Sequence, residues 1–166
     1  MNAPNLNKLP LSNAEQLFHL AALIALGIHG VTIAMYYPGL PDRIPIHFGI
    51  DGQPDGWGDK WMLLLLLGVT VGLFALMKFI TTIGADKYNY PVTITPQNKE
   101  QQYRLSRQLI FMMNAGMMVL FLLITWGIIQ TAKGNWNGLG NWFWLALIGL
   151  VFVPIGYTLI QSKKYK

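Results

Sequence analysis

The residues of this chain that could do chemistry are concentrated in one short stretch, residues 40–60. This stretch holds four of the seven acidic residues and one of the three histidines, together with several prolines and glycines. Its candidates for binding a ligand or partner are His47, Asp51, Asp55, Trp57 and Lys60, and its candidates for binding a metal are His47, Asp51, Asp55 and Asp59. No nucleophile elbow, zinc-protease helix or phosphate loop occurs in the sequence. The pattern therefore favours binding over catalysis.

Two metals are compatible with these side chains, but either site would be incomplete. Asp51, Gln53 and Asp55 have the spacing of the first positions of a calcium loop, yet Met62 stands where that loop needs a bidentate glutamate. A zinc site needs about three protein ligands, and residues 40–60 contain a single histidine. We therefore expect no cofactor and keep calcium and zinc as alternatives. The competing explanation is that the aspartates form turns and precede a helix, which requires no ligand.

Composition and hydropathy place the chain in a membrane. Hydrophobic residues make up 53% of the chain and charged residues only 11%, compared with about 25% charged residues in soluble domains. Four apolar segments are each close to the roughly 20 residues that cross a bilayer as a helix. These segments are residues 17–37, 61–83, 109–129 and 142–160. The sequence predicts an all-α integral membrane protein, with one domain over residues 1–166 and a compact loop over residues 38–60.

The distribution of lysine and arginine predicts how these helices are oriented. Arg43, Lys60 and Lys133 lie at one end of the predicted bundle, and the other nine of the twelve basic residues lie at the opposite end. Cytoplasmic loops are enriched in Lys and Arg. Both termini are therefore predicted on the cytoplasmic side of the cell membrane, and the loop over residues 38–60 on its outer side. The net charge of +5 then reflects topology and attraction to anionic lipids, and no nucleic-acid partner is expected.

The outer loop is predicted to be a hairpin. Residues 44–48 favour an extended strand, and Asp51-Gly52 is typical of a tight turn. Residues 54–56 favour a second turn, since proline, aspartate and glycine follow one another there. Asp59 would then lie near the start of the second membrane helix, where a carboxylate is favourable.

The first membrane helix has an expected start and a polar interior. Ser12 or Asn13 should cap it, with Glu15 in its first turn. His29 lies inside the apolar segment and is expected to hydrogen-bond across the bundle. The alternative is a zinc site that joins His29 to His47 and an aspartate.

The spacing of residues 40–60 carries a family resemblance. It resembles a bacterial membrane domain of unknown function that forms the N-terminal part of SdpI-type immunity and signalling proteins. The matching pattern is Leu40-Pro41-x-x-Ile44-Pro45-x-His47-Phe48-x-x-x-Gly52-x-x-Asp55-x-Trp57-x-x-Lys60. The cytoplasmic loop of that family is similar at Asn89, Pro91, Asn98, Tyr103 and Arg107. SdpI-type proteins protect a cell from a secreted peptide toxin and hold a transcriptional repressor at the membrane, but they are longer and have more helices.

Three classes of function remain open from the sequence. The leading hypothesis is a non-enzymatic binding or sensing module whose outer loop recognises an extracytoplasmic peptide, ion or partner protein. A small metal-dependent membrane enzyme would use His47 and the loop carboxylates. A transporter or pore subunit would assemble from several copies. Gly68 and Gly72 have the small-xxx-small spacing that lets membrane helices approach closely, either within the chain or between copies. The expected partners are thus the lipid bilayer, an outside peptide or protein, and a second copy of the chain.

Overall fold

The computed structural model describes Leu6 and residues 9–166. Its four long helices are α1, Asn13–Tyr36; α2, Met62–Ile80; α3, Lys99–Ala132; and α4, Trp142–Lys164. All four are long and apolar enough to cross a membrane, so the chain has the structure of a multi-pass membrane protein. The prediction of four helices that are long and apolar enough to span a membrane is confirmed. Lys8, which contributed to the predicted orientation, lies outside the described residues.

Helices α3 and α4 extend beyond the apolar segments from which they were predicted. α3 begins at Lys99, well before Leu109, and its 34 residues give a length of about 51 Å. Because a hydrocarbon core is about 30 Å thick, the first turns of α3 stand outside it. α4 likewise continues past Ile160 to Lys164. Hydropathy marks only the part of a helix that faces lipid, which explains the difference.

The start of α1 is fixed by a cap. The hydroxyl oxygen of Ser12 accepts a hydrogen bond from the backbone N–H of Glu15 at 3.3 Å. In return the backbone N–H of Ser12 donates to the Glu15 carboxylate at 2.7 Å. This reciprocal pair is a capping box, and it confirms the prediction for Ser12.

α3 is the central helix of the bundle, and α1, α2 and α4 each pack against it. Small residues such as Ala25 of α1 and Ala115 of α3 meet in one cluster, which lets these two helices approach closely. His29 is fully buried nearby, and its Nε2 lies 2.7 Å from the hydroxyl of Thr125 in α3. The predicted hydrogen bond across the bundle is therefore confirmed.

Between α1 and α2 the chain forms a small antiparallel sheet. A 3-10 turn, Tyr37–Gly39, leads into β1, Arg43–Phe48, which pairs with β2, Pro54–Asp59. The hairpin prediction is confirmed, and the all-α description is corrected by this two-stranded sheet. The second turn predicted at residues 54–56 is wrong, since these residues belong to β2.

Gly56 lies in that segment because the two strands approach each other closely there, and not because the chain turns. A Cβ added at Gly56 would lie 2.9 Å from the Cβ of His47, so the two strands come too close there for any side chain. The glycine that favoured a turn in the sequence is thus required by the close approach of β1 and β2.

The connections cluster at two ends of the bundle. The hairpin and the α3–α4 connection, residues 133–141, meet at one end, which we call the hairpin end. The start of α1, the α2–α3 connection over residues 81–98 and the end of α4 lie at the other, which we call the termini end. Gly68 and Gly72 are exposed on α2, and a Cβ added at either glycine would meet nothing within 4 Å. Their spacing therefore does not serve packing within this chain.

Candidate functional site: the exposed face of the hairpin

The hairpin is anchored in the core at its base. Ile44 of β1 is only 1% exposed and packs in one cluster with Ile33 of α1, Leu63 of α2 and Ile129 of α3. Burial of an aliphatic side chain of this size contributes about 1.5–3 kcal/mol in water-exposed folds. The strand is therefore fixed to three of the four helices through one side chain.

The tip of the hairpin is closed by a turn. The backbone N–H of Gly49 donates to the carbonyl of Gln53 at 2.8 Å. The carboxylate of Asp51 accepts a hydrogen bond from the backbone N–H of Gln53 at 3.0 Å. Gly52 has a φ of +76°, a conformation that glycine adopts without strain. The turn predicted at Asp51-Gly52 is confirmed, and Asp51 acts there as a turn former.

The same tip is docked onto the second connection at this end. The backbone N–H of Leu139 donates to the carbonyl of Gly52 at 2.8 Å. The indole N–H of Trp144, in the first turn of α4, donates to the carbonyl of Ile50 at 2.9 Å. Leu139 itself is 3% exposed. The hairpin is therefore held at its tip as well as at its base.

The side chains of His47 and Asp55 contact each other on the outer face of this anchored hairpin. Nδ1 of His47 contacts Oδ1 of Asp55, and the two side chains are 73% and 53% exposed. The strand pairing is irregular on both sides of His47, where the ladder places it opposite Gly56. Even a fully charged surface pair contributes only about 0–1 kcal/mol to stability, so the fold does not depend on this contact. Both side chains are therefore accessible to a ligand from outside the chain.

Trp57 extends this face along β2. Alternate residues of a strand share a face, which places Trp57 beside Asp55 and Asp59, and the side chains of all three are exposed. The Trp57 carbonyl accepts a hydrogen bond at 2.9 Å from the guanidinium of Arg43, which pairs with Asp59 in the ladder. Trp57 is 48% exposed, a large aromatic surface for a residue in a sheet. The face thus combines a histidine–carboxylate pair with an aromatic ring.

Lys60 is not brought to this face. Its ammonium lies 3.1 Å from the carboxylate of Asp42 and 3.5 Å from the carbonyl of Leu40. It also lies 5.8 Å from the ring of Tyr37. Since Lys60 follows the last residue of β2, it stands roughly 15 Å along the strand from Asp55. Lys60 holds the base of the loop.

The predicted metal ligands are not gathered into one cluster. Among Leu6 and residues 9–166, no group of three or more His, Cys, Asp or Glu side chains could hold a metal ion. Asp55 pairs with His47, Asp51 closes the tip, and Asp59 ends β2 at the base. Helix α2 begins at Met62 without a side-chain cap, so Asp59 does not cap it. The proposed calcium and zinc sites are therefore supported by the sequence pattern only, and not by the arrangement of the side chains.

A second polar centre, which the sequence argument missed, lies at the termini end. Arg107 of α3 donates through Nε and Nη2 to both carboxylate oxygens of Glu15, at 2.6 and 3.0 Å. The two side chains are 4% and 1% exposed. Arg107 also donates to the carbonyls of Leu9 and Pro10, each at 3.1 Å. Available signals were a capping glutamate and an arginine, each just before an apolar segment.

Three of the five residues that resemble the family between the second and third apolar segments are buried and support the fold. Asn98, Tyr103 and Arg107 are all buried. The side chain of Asn98 accepts a hydrogen bond from the backbone N–H of Thr95 at 2.8 Å and donates to the carbonyl of Thr93 at 3.0 Å. These residues fold the α2–α3 connection and join it to α1. Asn89 and Pro91, by contrast, are exposed.

The anchored hairpin lies within a segment that matches a family of known proteins. Residues 23–71 match the family model of a domain of unknown function, DUF1648. The match runs from within α1 through both strands and into α2, and it contains His47, Asp55 and Trp57. The resemblance to a domain of unknown function is therefore confirmed over these residues.

One curated relative and the solved structures complete the comparison. An uncharacterized protein of Archaeoglobus fulgidus is 31% identical to this chain over 88 residues, which is 52% of this chain and 48% of that protein. The chain thus spans about half the length of the relative that it matches. No solved structure gives a significant match.

Proposed function

We propose that this protein is a non-enzymatic binding or sensing module of the cell membrane, which recognises an extracytoplasmic peptide or partner protein through the exposed face of its hairpin. One observation carries the proposal: His47, Asp55 and Trp57 are exposed on a hairpin that is anchored at both base and tip. Because the backbone is held at both ends, little of it has to be ordered when a ligand binds.

The chemistry of the face favours a peptide over an ion. Trp57 offers an aromatic surface, and Ile50 at the tip is 89% exposed. Exposed aromatic and apolar residues beside charges are typical of protein–protein contacts. The resemblance to SdpI-type immunity and signalling proteins also supports a secreted peptide as the ligand, with immunity or signalling as the outcome.

We also propose that the hairpin end faces outward and the termini end faces the cytoplasm. Eight basic residues of the described chain support this orientation under the positive-inside rule. They are Lys78, Lys87, Lys99, Arg104, Arg107, Lys163, Lys164 and Lys166. The hairpin end carries Arg43, Lys60 and Lys133.

Single-cysteine variants test this orientation, since the chain has no cysteine of its own. In intact cells a membrane-impermeant maleimide is expected to label Ile50→Cys, at the exposed tip. Gln97→Cys, exposed in the α2–α3 connection, should be labelled only after the membrane is permeabilised. The reverse pattern would rule out an outward-facing hairpin.

The function is tested by complementing a deletion strain of the host organism and measuring transcript levels. Wild-type protein should restore the transcripts that change on deletion, whereas the double variant His47→Ala/Asp55→Ala should not. The matched control is Asp86→Ala/Lys87→Ala, which removes an exposed ion pair of 3.5 Å at the opposite end. Surface pairs contribute about 0–1 kcal/mol, so both variants should reach wild-type levels in the membrane.

A further inference from the structure

A groove between α3 and α4 opens at the termini end. It has a volume of about 420 Å³. Its helical walls include Ile110 of α3 with Ile155 and Leu159 of α4, and its mouth is formed by Tyr88 and Tyr90 of the α2–α3 connection. The walls are aliphatic where the helices lie in the membrane and aromatic where the chain leaves it. Tyrosine is enriched at this depth of a bilayer.

The mouth of the groove leads into a polar cavity. This second cavity, of about 640 Å³, shares Tyr90 and Pro91 with the groove and is also lined by Thr93, Thr95 and Lys166. Burial raises the pKa of Tyr88 to about 12, and the pKa of Tyr90 is also raised by burial. The two phenols therefore stay neutral at physiological pH, and an anion at the mouth would meet no tyrosinate.

The basic residues at this mouth have no carboxylate partner within the described part of the chain. Each acidic residue of the termini end is already paired with another cation. These pairs are Glu15–Arg107, Asp86–Lys87 and Glu100–Arg104. Lys163, in the last turn of α4, and Lys166, two residues after the helix, form no ion pair among Leu6 and residues 9–166. Their charge is left for an anion from outside the chain.

The fold holds these lysines close to the groove, where Lys166 lines the adjoining polar cavity. Lys163 follows Leu159 by four residues, so it lies one turn further along the same stripe of α4, about 6 Å beyond the apolar wall. The amide of Gln102 in α3 donates to the carbonyls of Ser162 and Tyr165, at 2.9 and 3.0 Å. The end of α4 is therefore fixed against α3, and its positive charge lies just outside the aliphatic walls of the groove.

We infer that this groove binds one anionic phospholipid, with an acyl chain between Ile110, Ile155 and Leu159 and the phosphate near Lys163 and Lys166. An apolar slot with unpaired cations at its mouth matches the two parts of such a lipid. The site lies at the opposite end from the hairpin face and does not depend on what that face binds.

The test titrates purified full-length chain in detergent with phosphatidylglycerol or phosphatidylcholine of the same acyl chains, and counts retained lipids by native mass spectrometry. Wild type should retain one phosphatidylglycerol in preference to phosphatidylcholine. Lys163→Gln/Lys166→Gln should weaken that binding about 25-fold, at about five-fold for each lysine. Leu159→Trp, which fills the slot and keeps both charges, should weaken it as well. Lys87→Gln, outside the groove, should bind as wild type does.

Five results would overturn the inference. The first is equal retention of the two lipids by wild type, and the second is an equal loss in the Lys87→Gln control. Unchanged binding by Leu159→Trp would mean diffuse attraction without a slot. Displacement of the lipid by millimolar inorganic phosphate, or a lipid-free dimer that Leu159→Trp dissociates, would assign the groove to another occupant.

Discussion

Replacing Arg107 with alanine is expected to lower the free energy of unfolding by about 3–5 kcal/mol, because Glu15 would remain buried without its partner. The lost guanidinium also leaves the carbonyls of Leu9 and Pro10 without their donor. The measurement is unfolding of the purified chain in mixed micelles as the SDS fraction rises. The variant should unfold at a clearly lower SDS fraction than wild type.

The matched control is Arg104→Ala, one turn earlier on the same helix. Arg104 pairs with Glu100 at 2.9 Å, but their side chains are 32% and 46% exposed. An exposed i,i+4 pair of this kind contributes about 0.3–0.5 kcal/mol, so this variant should unfold almost as wild type does. Equal losses in the two variants would show that the buried pair does not hold the termini end together.

The second large effect is expected for Gly138→Ala, which should free the hairpin tip from the α3–α4 connection. Gly138 has a φ of +145°, and an added Cβ would overlap the carbonyl oxygen of Gly52. Backbone strain of about 1–3 kcal/mol and the loss of a hydrogen bond of about 1 kcal/mol together give a cost of about 2–4 kcal/mol. Hydrogen exchange of the Leu139 amide, which donates to Gly52, should rise sharply.

The matched control is Gly134→Ala in the same connection, which introduces backbone strain without a steric clash. Gly134 has a φ of +74°, but a Cβ added there would meet nothing within 4 Å. This variant should cost only about 1 kcal/mol and leave the exchange of Leu139 unchanged. If Gly138→Ala exchanged no faster at Leu139 than Gly134→Ala, the tip would not depend on this docking.

The features that the sequence predicted well are those set by local physics. The apolar segments were long enough to require spanning helices, and Ser12 with Glu15 forms a cap within one turn. Asp51 and Gly52 likewise specify the tip of the hairpin through a local hydrogen bond and a positive φ. Each of these signals depends on residues a few positions apart, so a single sequence is enough to show them.

The features that the sequence did not predict depend on distant partners. Glu15 and Arg107 are separated by 92 residues, and the sequence around either residue does not predict that the two form a pair. The contact of Gly52 with Leu139 joins two connections that only the packed bundle brings together. At Gly56 the local signal was misleading, because a glycine required by close strand approach is indistinguishable in sequence from a turn glycine.

The candidate site was predicted as a set of residues but not as an arrangement. The structure places His47, Asp55 and Trp57 on exposed parts of the two paired strands. It assigns Lys60 to the base, where it contacts Asp42. The sequence could not separate these roles, because strand register decides which side chains share a face.

The central claim is that the exposed face of the hairpin carries the function, and complementation of the deletion strain tests it most directly. At equal membrane levels, His47→Ala/Asp55→Ala should leave the deletion's transcript changes in place, whereas Asp86→Ala/Lys87→Ala should reverse them as wild type does. Full reversal by His47→Ala/Asp55→Ala would contradict the account.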